Sequence, residues 1–398
     1  MEAFNNSPVV DLTTADGVKA YLFQTLFRAT SVTPLVGGLG NFTYRVTLEK
    51  PFSDSSVSHD LLSTVVLKHA EPYSASDKTF PLPVERQVSN DRFLQSLLAQ
   101  FIIYQGFEVL AYLEVPTIIS PSTGVFLPKI YYEDRDNRVV IMYDCGEDGR
   151  GCITLKDYLK LHPVPLEVAR RIGNSLGRFL GELHINSHDR RPAGSSGVLL
   201  KHKFADNTQA RDISSFIFYG IVKRDLPKTT ERYNEIIALV DNMHEKIKST
   251  NEVLVMGDFW PGNILVYGKS MEKLSVVDWE VSKPGLAGLD VGQFLAEIYT
   301  MQRFYPSSRL AANELISEFI ASYKSIVSLE TNVADLNEIA KIAAIHVGAH
   351  LFAITPMARP KWGSDEEIKE LVSEGITFLL NAEDDKWRRE SFLGELCS

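Results

Sequence analysis

The stretch LVMGDFWPGNILVYGKSMEKLSVVDWE, residues 254–280, decides how the chain is read. Two apolar runs, ILVY at 264–267 and LSVVDW at 274–279, flank the polar turn GKSMEK, the pattern of a β-hairpin. Asp258 and Asn263 stand before the hairpin, and Asp278 stands at its far end. Phosphoryl transfer needs a carboxylate to orient the attacking hydroxyl and take its proton. It also needs oxygen ligands that hold magnesium against the phosphates. Asp258, Asn263 and Asp278 supply those groups in that order, so Asp258 is the expected base and Asn263 and Asp278 the expected magnesium ligands. A plainer reading stands beside this one. Gly257, Pro261 and Gly262 make a turn in any case, which Asp258 and Asn263 would cap, and Asp278 and Glu280 fit solvated charges. Joined across one hairpin, the pieces favour the chemistry over the turn.

Upstream segments offer what a nucleotide needs. In VGGLGNFTYRV, Gly37, Gly38, Gly40 and Asn41 suit a tight strand-to-strand turn whose amides approach phosphate, and they also suit an ordinary hairpin. Lys68 lies inside the strand-like VVLKHA, and Glu85 opens a helical pattern at 84–100 in which Phe93, Leu94, Leu97 and Leu98 share a side. An ion pair between Lys68 and Glu85 is the expected way to direct the lysine at phosphate.

Around these residues, 42–48 and 63–69 read as strands joined by a Ser-rich loop, and 125–131 and 138–143 as two more. The glycine- and charge-rich DCGEDGRG follows as a linker, and beyond it 165–184 and 229–249 carry helical periodicity. The expectation is an α+β fold in two lobes. Residues 1–143 would form a small lobe of antiparallel sheet plus helix that binds nucleotide, and 144–398 a larger, mainly helical catalytic and substrate-binding lobe. A length of 398 residues suits two lobes better than one core.

Composition narrows the classes. Hydrophobic residues at 44% and charged residues at 23% fit a globular protein, and a net charge of −10 disfavours a general nucleic-acid binder. Cys145, Cys152 and Cys397 are an odd number without metal-ligand spacing, which argues against a disulfide framework or a zinc site. The N-terminus has no signal-peptide pattern, and the apolar run 342–358 is broken by His346, His350 and Pro356 and falls short of a bilayer. A cytoplasmic enzyme with no membrane partner is expected. Oligomeric state is not legible.

The same segments resemble the aminoglycoside phosphotransferase and choline kinase family across nearly the whole chain. The matching pieces are VGGLGNFTYRV for the nucleotide-covering loop, VVLKHAEP with PVERQ for the lysine and glutamate, and IMYD for the hinge. MGDFWPGNIL matches the catalytic loop and VVDWEVSKPGLAGLDVGQFL the metal site with its following helix. The resemblance implies a two-lobed protein-kinase-like fold and an ATP- and Mg2+-dependent kinase of a small-molecule hydroxyl. It makes Glu280 a further metal-shell carboxylate, sets Met142, Tyr143 and Asp144 beside adenine, and gives Asp290 a bracing role at the catalytic loop. One departure is Met256, where the family usually has histidine. Within the family the chain is similar to the 5-methylthioribose kinase branch and to fungal kinases of 4-hydroxytryptamine, which belong to secondary metabolism. A hydroxytryptamine-like amino alcohol is the leading acceptor. A 5-methylthioribose-like sugar is the alternative, weakened because His346 and His350 stand where that branch has paired arginines. A catalytically weak nucleotide-binding pseudokinase is a further alternative, with Met256 as its only support. A protein kinase is disfavoured, because VVDWE runs into KPGLAGLD without Asp-Phe-Gly and Ala-Pro-Glu signals.

Overall fold

The computed structural model describes residues 10–35, 40–53, 61–71, 73, 75, 105–146, 151–161, 163–268, 272–330, 334–357 and 362–397. Gly37, Gly38, Glu85 and the helical pattern at 84–100 lie outside the described residues. The chain divides into two compact units, Met1–Val109 with Pro128–Gly151, and Leu110–Leu127 with Cys152–Ser398.

In the first unit, helix α1 (Ala15–Leu22) starts where the Thr14 side chain accepts the Gly17 N–H. Strands β1 (Ala29–Pro34), β2 (Phe42–Ser53), β3 (Leu61–His69), β4 (Ile130–Asp134) and β5 (Val139–Tyr143) form an antiparallel sheet. Its spatial order is β1-β2-β3-β5-β4. Alternation along β2 buries Tyr44, Val46 and Leu48, and along β3 Val65 and Leu67, against Leu12, Val18, Leu22, Phe27 and Ile141. The strand runs read from the sequence are thus present, and β3 places Lys68 between Thr43 and Val140 of its neighbours.

The second unit contains the predicted hairpin. Strand β8 (Ile264–Tyr267) pairs antiparallel with β9 (Lys273–Val276), and β6 (Cys152–Thr154) and the short strand Val125–Phe126 extend the sheet on either side. Of the strand expected at 125–131, then, Val125–Phe126 joins this sheet, while Ile130 begins β4 in the first unit. A second pairing joins β7 (Val253–Val255) to β10 (Lys283–Gly285), bringing the chain just before Asp258 beside the chain just after Glu280.

Most of the second unit is helical. Helix α3 (Leu166–Ser187) lies against α5 (Arg309–Val327), and α4 (Ala287–Phe304) against α6 (Leu336–Ala353), which also meets α7 (Asp365–Asn381). Small residues permit these close approaches. A Cβ on Gly177 would stand 2.3 Å from the Phe319 carbonyl oxygen, and one on Gly292 would stand 2.8 Å from that of Ala343. The span Leu336–Met357 is long and apolar enough to cross a bilayer, longer than the broken run at 342–358 suggests. Its apolar surface is taken up internally, with 83% of its most apolar window buried.

Candidate active site

The segment between β7 and β8 is built around one buried carboxylate. Asp290, in the first turn of α4, is fully buried and accepts the N–H groups of Met256 at 2.8 Å and Gly257 at 2.9 Å. His184 Nε2 lies 3.3 Å from the same carboxylate, and its Nδ1 meets Tyr323 Oη at 2.9 Å. The bracing role expected of Asp290 is therefore visible as geometry. It also accounts for Met256: what Asp290 holds is a backbone N–H, which any residue but proline supplies, while the methionine side chain is buried.

Gly257 takes a left-handed conformation, φ 82°, and a Cβ there would meet Lys283 Nζ at 2.5 Å. The turn therefore depends on glycine. Lys283 is itself buried, and burial pushes its ammonium down to about 8, with the charges of Asp290 and Asp258 opposing the shift.

Asp258 follows directly. Gln293 Nε2, one turn along α4 from Asp290, donates to Asp258 Oδ1 at 2.7 Å, and Asn263 Nδ2 donates to Oδ2 at 2.8 Å. Burial pushes the Asp258 carboxyl up to about 6. The charges of Asp278 and Glu297 add to the rise, and the two donors oppose it. The sequence reading missed Gln293. A signal existed, since Asp290 and Gln293 are three apart on a helix and share a face, but nothing in the sequence said what that face meets. Replacing Gln293 by alanine removes a donor that favours the charged carboxylate. The Asp258 pKa then rises further, the acid limb of kcat/KM moves to higher pH, and turnover at neutral pH falls about tenfold. A pH–rate profile of Q293A checks this, and an unmoved acid limb would contradict it.

The two halves of the expected metal pair are tied together through the backbone. Val277 N–H donates to the Asn263 carbonyl at 2.9 Å, so the end of β9 is fixed to the loop before β8. Asp278 then adopts φ 63°, a left-handed conformation that costs a non-glycine residue about 1 kcal/mol or more. Its N–H donates to Tyr112 Oη at 3.2 Å. Downstream, Asn207 Nδ2 donates to the carbonyls of Glu280 at 3.1 Å and Ser282 at 2.8 Å. The structure thus brings Asp258, Asn263 and Asp278 together, with Glu280 two residues beyond on the same pinned segment.

The donor set fits magnesium. With its Nδ2 turned to Asp258, Asn263 keeps its amide oxygen as a ligand atom, and Asp278 adds a carboxylate. One carboxylate and an amide oxygen, completed by water and substrate phosphates, are what a hard, octahedral cation takes. Among the described residues no group of three or more His, Cys, Asp or Glu is placed to hold a metal ion.

In the first unit, Lys68 Nζ lies 2.8 Å from both carboxylate oxygens of Glu108, and both residues are buried. Glu108 belongs to helix α2 (Gln105–Glu114) and was not singled out in the sequence, where it is one helical glutamate among several. Glu85, the partner expected there, is outside the described residues. Asp144 is buried and accepts two bonds from Arg45, at 2.7 and 3.0 Å, and one from the Gly146 N–H at 2.8 Å. Its carboxylate thus anchors the end of β5. Met142 and Tyr143 form that strand end, paired with Val66 and Val65, and Gly40 and Asn41 precede β2.

Comparison with known proteins follows the same residues. Residues 140–317 match the family model described as "Phosphotransferase enzyme family". The chain is 28% identical over 387 residues to a 4-hydroxytryptamine kinase of Psilocybe cyanescens, covering 94% of each chain. It is 27% identical over 385 residues to that of Psilocybe cubensis, again covering 94% of each. Among solved structures, a putative aminoglycoside phosphotransferase from Ralstonia eutropha is similar with a TM-score of 0.48 at 14% identity, over 94% of this chain and 97% of that one. The matched region, residues 140–317, holds Asp258, Asn263, Asp278, Asp290 and Gln293 together.

Proposed function

We propose that the protein is an ATP- and magnesium-dependent small-molecule kinase that transfers the γ-phosphate to a hydroxyl, with a hydroxytryptamine-like amino alcohol as acceptor. The observation that carries the reading is the Asp258 carboxylate, held by Gln293 and Asn263 in a loop that Asp290 braces. That geometry suits a general base. The two donors fix the direction of the carboxylate while each oxygen keeps a lone pair, so an acceptor hydroxyl can hand over its proton as it attacks phosphorus. A pKa raised to about 6 leaves the group ionised at neutral pH, yet more basic than an ordinary aspartate.

Asn263 and Asp278 are the residues that would hold magnesium, and Glu280 stands close enough in sequence to orient its water shell. When bound, the ion neutralises charge on the transferring phosphoryl group. Lys68, its direction fixed by Glu108, is suited to carry charge on the α- and β-phosphates. Met142 to Asp144 are assigned to adenine on the strength of the sequence resemblance. The acceptor class rests on the two relatives named as kinases of 4-hydroxytryptamine, and a sugar acceptor is not favoured.

The test is a coupled assay for ADP with purified protein, ATP, magnesium and a panel of amino alcohols, hydroxyindoles and 5-methylthioribose. ADP release with an aromatic amino alcohol is the expected result. Silence with every acceptor would overturn the kinase reading, and a preference for the sugar would overturn the acceptor.

A further inference from the structure

Trp260 stands in the middle of the loop that carries the base, two residues after Asp258 and three before Asn263. Its backbone is part of the site. The Trp260 carbonyl accepts the Asn263 N–H at 3.0 Å, and Asn263 Nδ2 in turn donates to the Asp258 carboxylate at 2.8 Å and to the Asp258 carbonyl at 3.1 Å. The indole is half-buried and lies over Gly262, where a Cβ would stand 2.2 Å from its Cη2 and 2.3 Å from its Cζ2. The ring therefore covers the stretch of backbone that links the base to the expected magnesium ligand.

A cation holds that ring. Lys156 Nζ sits 4.7 Å from the centroid of Trp260 and 4.5 Å from that of Trp362, within the range at which an ammonium is drawn to the negative face of an indole. Lys156 belongs to the short helix Leu155–Leu161, which begins directly after β6 and whose first turn is closed by Thr154 Oγ1 accepting the Asp157 N–H at 3.0 Å. Leu155 and Leu159 are buried, and Ser308 Oγ donates to the Leu159 carbonyl, so the helix that carries the lysine is itself fixed. One turn later Lys160 Nζ rests 5.7 Å from the ring of Tyr305. Trp362 packs against Tyr305 at 5.8 Å and against Phe304, the last residue of α4, at 6.2 Å. Cations and rings thus alternate from the end of α4 to the loop, in the order Lys160, Tyr305, Trp362, Lys156, Trp260. An anion on α4 favours the ammonium as well. Burial works to raise the pKa of Glu297, but the His350 hydrogen bond, at 3.0 Å, and the charges of His350 and Lys156 bring it below the usual value.

We infer that Lys156 is a positioning residue of the reaction: clamped between the indoles of Trp260 and Trp362, its ammonium fixes the segment 258–263 and with it the aim of Asp258 and Asn263. Lys156 acts through Trp260, not on the reacting groups. A cation is what the place requires, because an ammonium is attracted to both ring faces at once, whereas an aliphatic chain of the same length makes weaker contacts with no preferred direction.

The kinetic part of this inference rests on the kinase reading; the structural part does not. The experiment compares wild type with Lys156→Met, which keeps the length of the side chain and removes its charge, and with Lys156→Arg, whose planar cation stacks on aromatic faces. With ATP, magnesium and a hydroxytryptamine, K156M should lose about thirtyfold in kcat with both KM values within about threefold of wild type, since misaimed groups cost rate before affinity. K156R should return kcat to within about threefold of wild type. Hydrogen–deuterium exchange reads the loop without turnover: amides within 257–263 should exchange about tenfold faster in K156M than in wild type or K156R, with those of β8 and β9 unchanged. Should K156M not fold, Lys156→Gln is read in its place. Unchanged kcat or unchanged loop exchange in K156M would overturn the clamp, as would a loss carried by KM or an equal loss in K156R. Absence of wild-type turnover with every acceptor would sink the kinase reading alone, because the exchange comparison still reports on Lys156.

Discussion

Replacing Asp258 by asparagine should lower turnover by about a thousandfold, within the range by which a positioned general base accelerates proton transfer. The amide keeps the shape of the side chain and one acceptor oxygen, but it offers no site that can take a proton at neutral pH. The surroundings sharpen the expectation. Gln293 and Asn263 both present N–H groups to this side chain, and the substituted amide would turn its own hydrogens toward one of them. Lost basicity and mild misorientation therefore act together. ATP affinity should stay within about twofold of wild type, since Asp258 is assigned no nucleotide contact. Single-turnover kinetics with a bound-nucleotide titration separate the two quantities. Product formation by D258N within tenfold of wild type would remove Asp258 as the base, whereas ATP binding without turnover by the wild-type protein would reopen the pseudokinase alternative.

The second large effect belongs to Asp290 and falls on stability. Asp290→Ala leaves the N–H groups of Met256 and Gly257 without their acceptor, and it leaves His184 facing a void, in a largely buried region. An unsatisfied buried group costs about 1–3 kcal/mol, so losing this carboxylate should cost about 3–5 kcal/mol in all. Chemical denaturation followed by tryptophan fluorescence checks it, since Trp260, Trp279, Trp362 and Trp387 all lie in the second unit. Because the same bonds position Asp258, the folded fraction of D290A should also be nearly inactive. A variant as stable as wild type would mean that the loop is held by other contacts, of which Ser282 Oγ donating to the Met256 carbonyl is the nearest.

The hairpin around GKSMEK and the sheet of the first unit were legible because strand periodicity is local: alternation along 42–48 and 63–69 reports which face is buried without knowledge of what covers it. Asp258, Asn263 and Asp278 were legible for a related reason. They lie within one short stretch, and the hairpin between them fixes how the stretch closes. The linkage of Val277 to the Asn263 carbonyl is that closure seen directly.

What stayed hidden came from far away in the chain. Gln293 reaches Asp258 across 35 residues, Glu108 reaches Lys68 across 40, and His350 reaches Glu297 across 53. A helical glutamate, glutamine or histidine looks alike in sequence whether it faces solvent or a catalytic carboxylate, since helical periodicity marks faces and not their partners. The chain alone therefore determined the hairpin, the order of its chemical groups and the kinase-like reading of them. Tertiary packing decided which distant donors hold Asp258 and which glutamate holds Lys68. The reason is that burial makes an unpaired polar group costly, and only the folded contacts show where that cost is met by the protein and where it is left open.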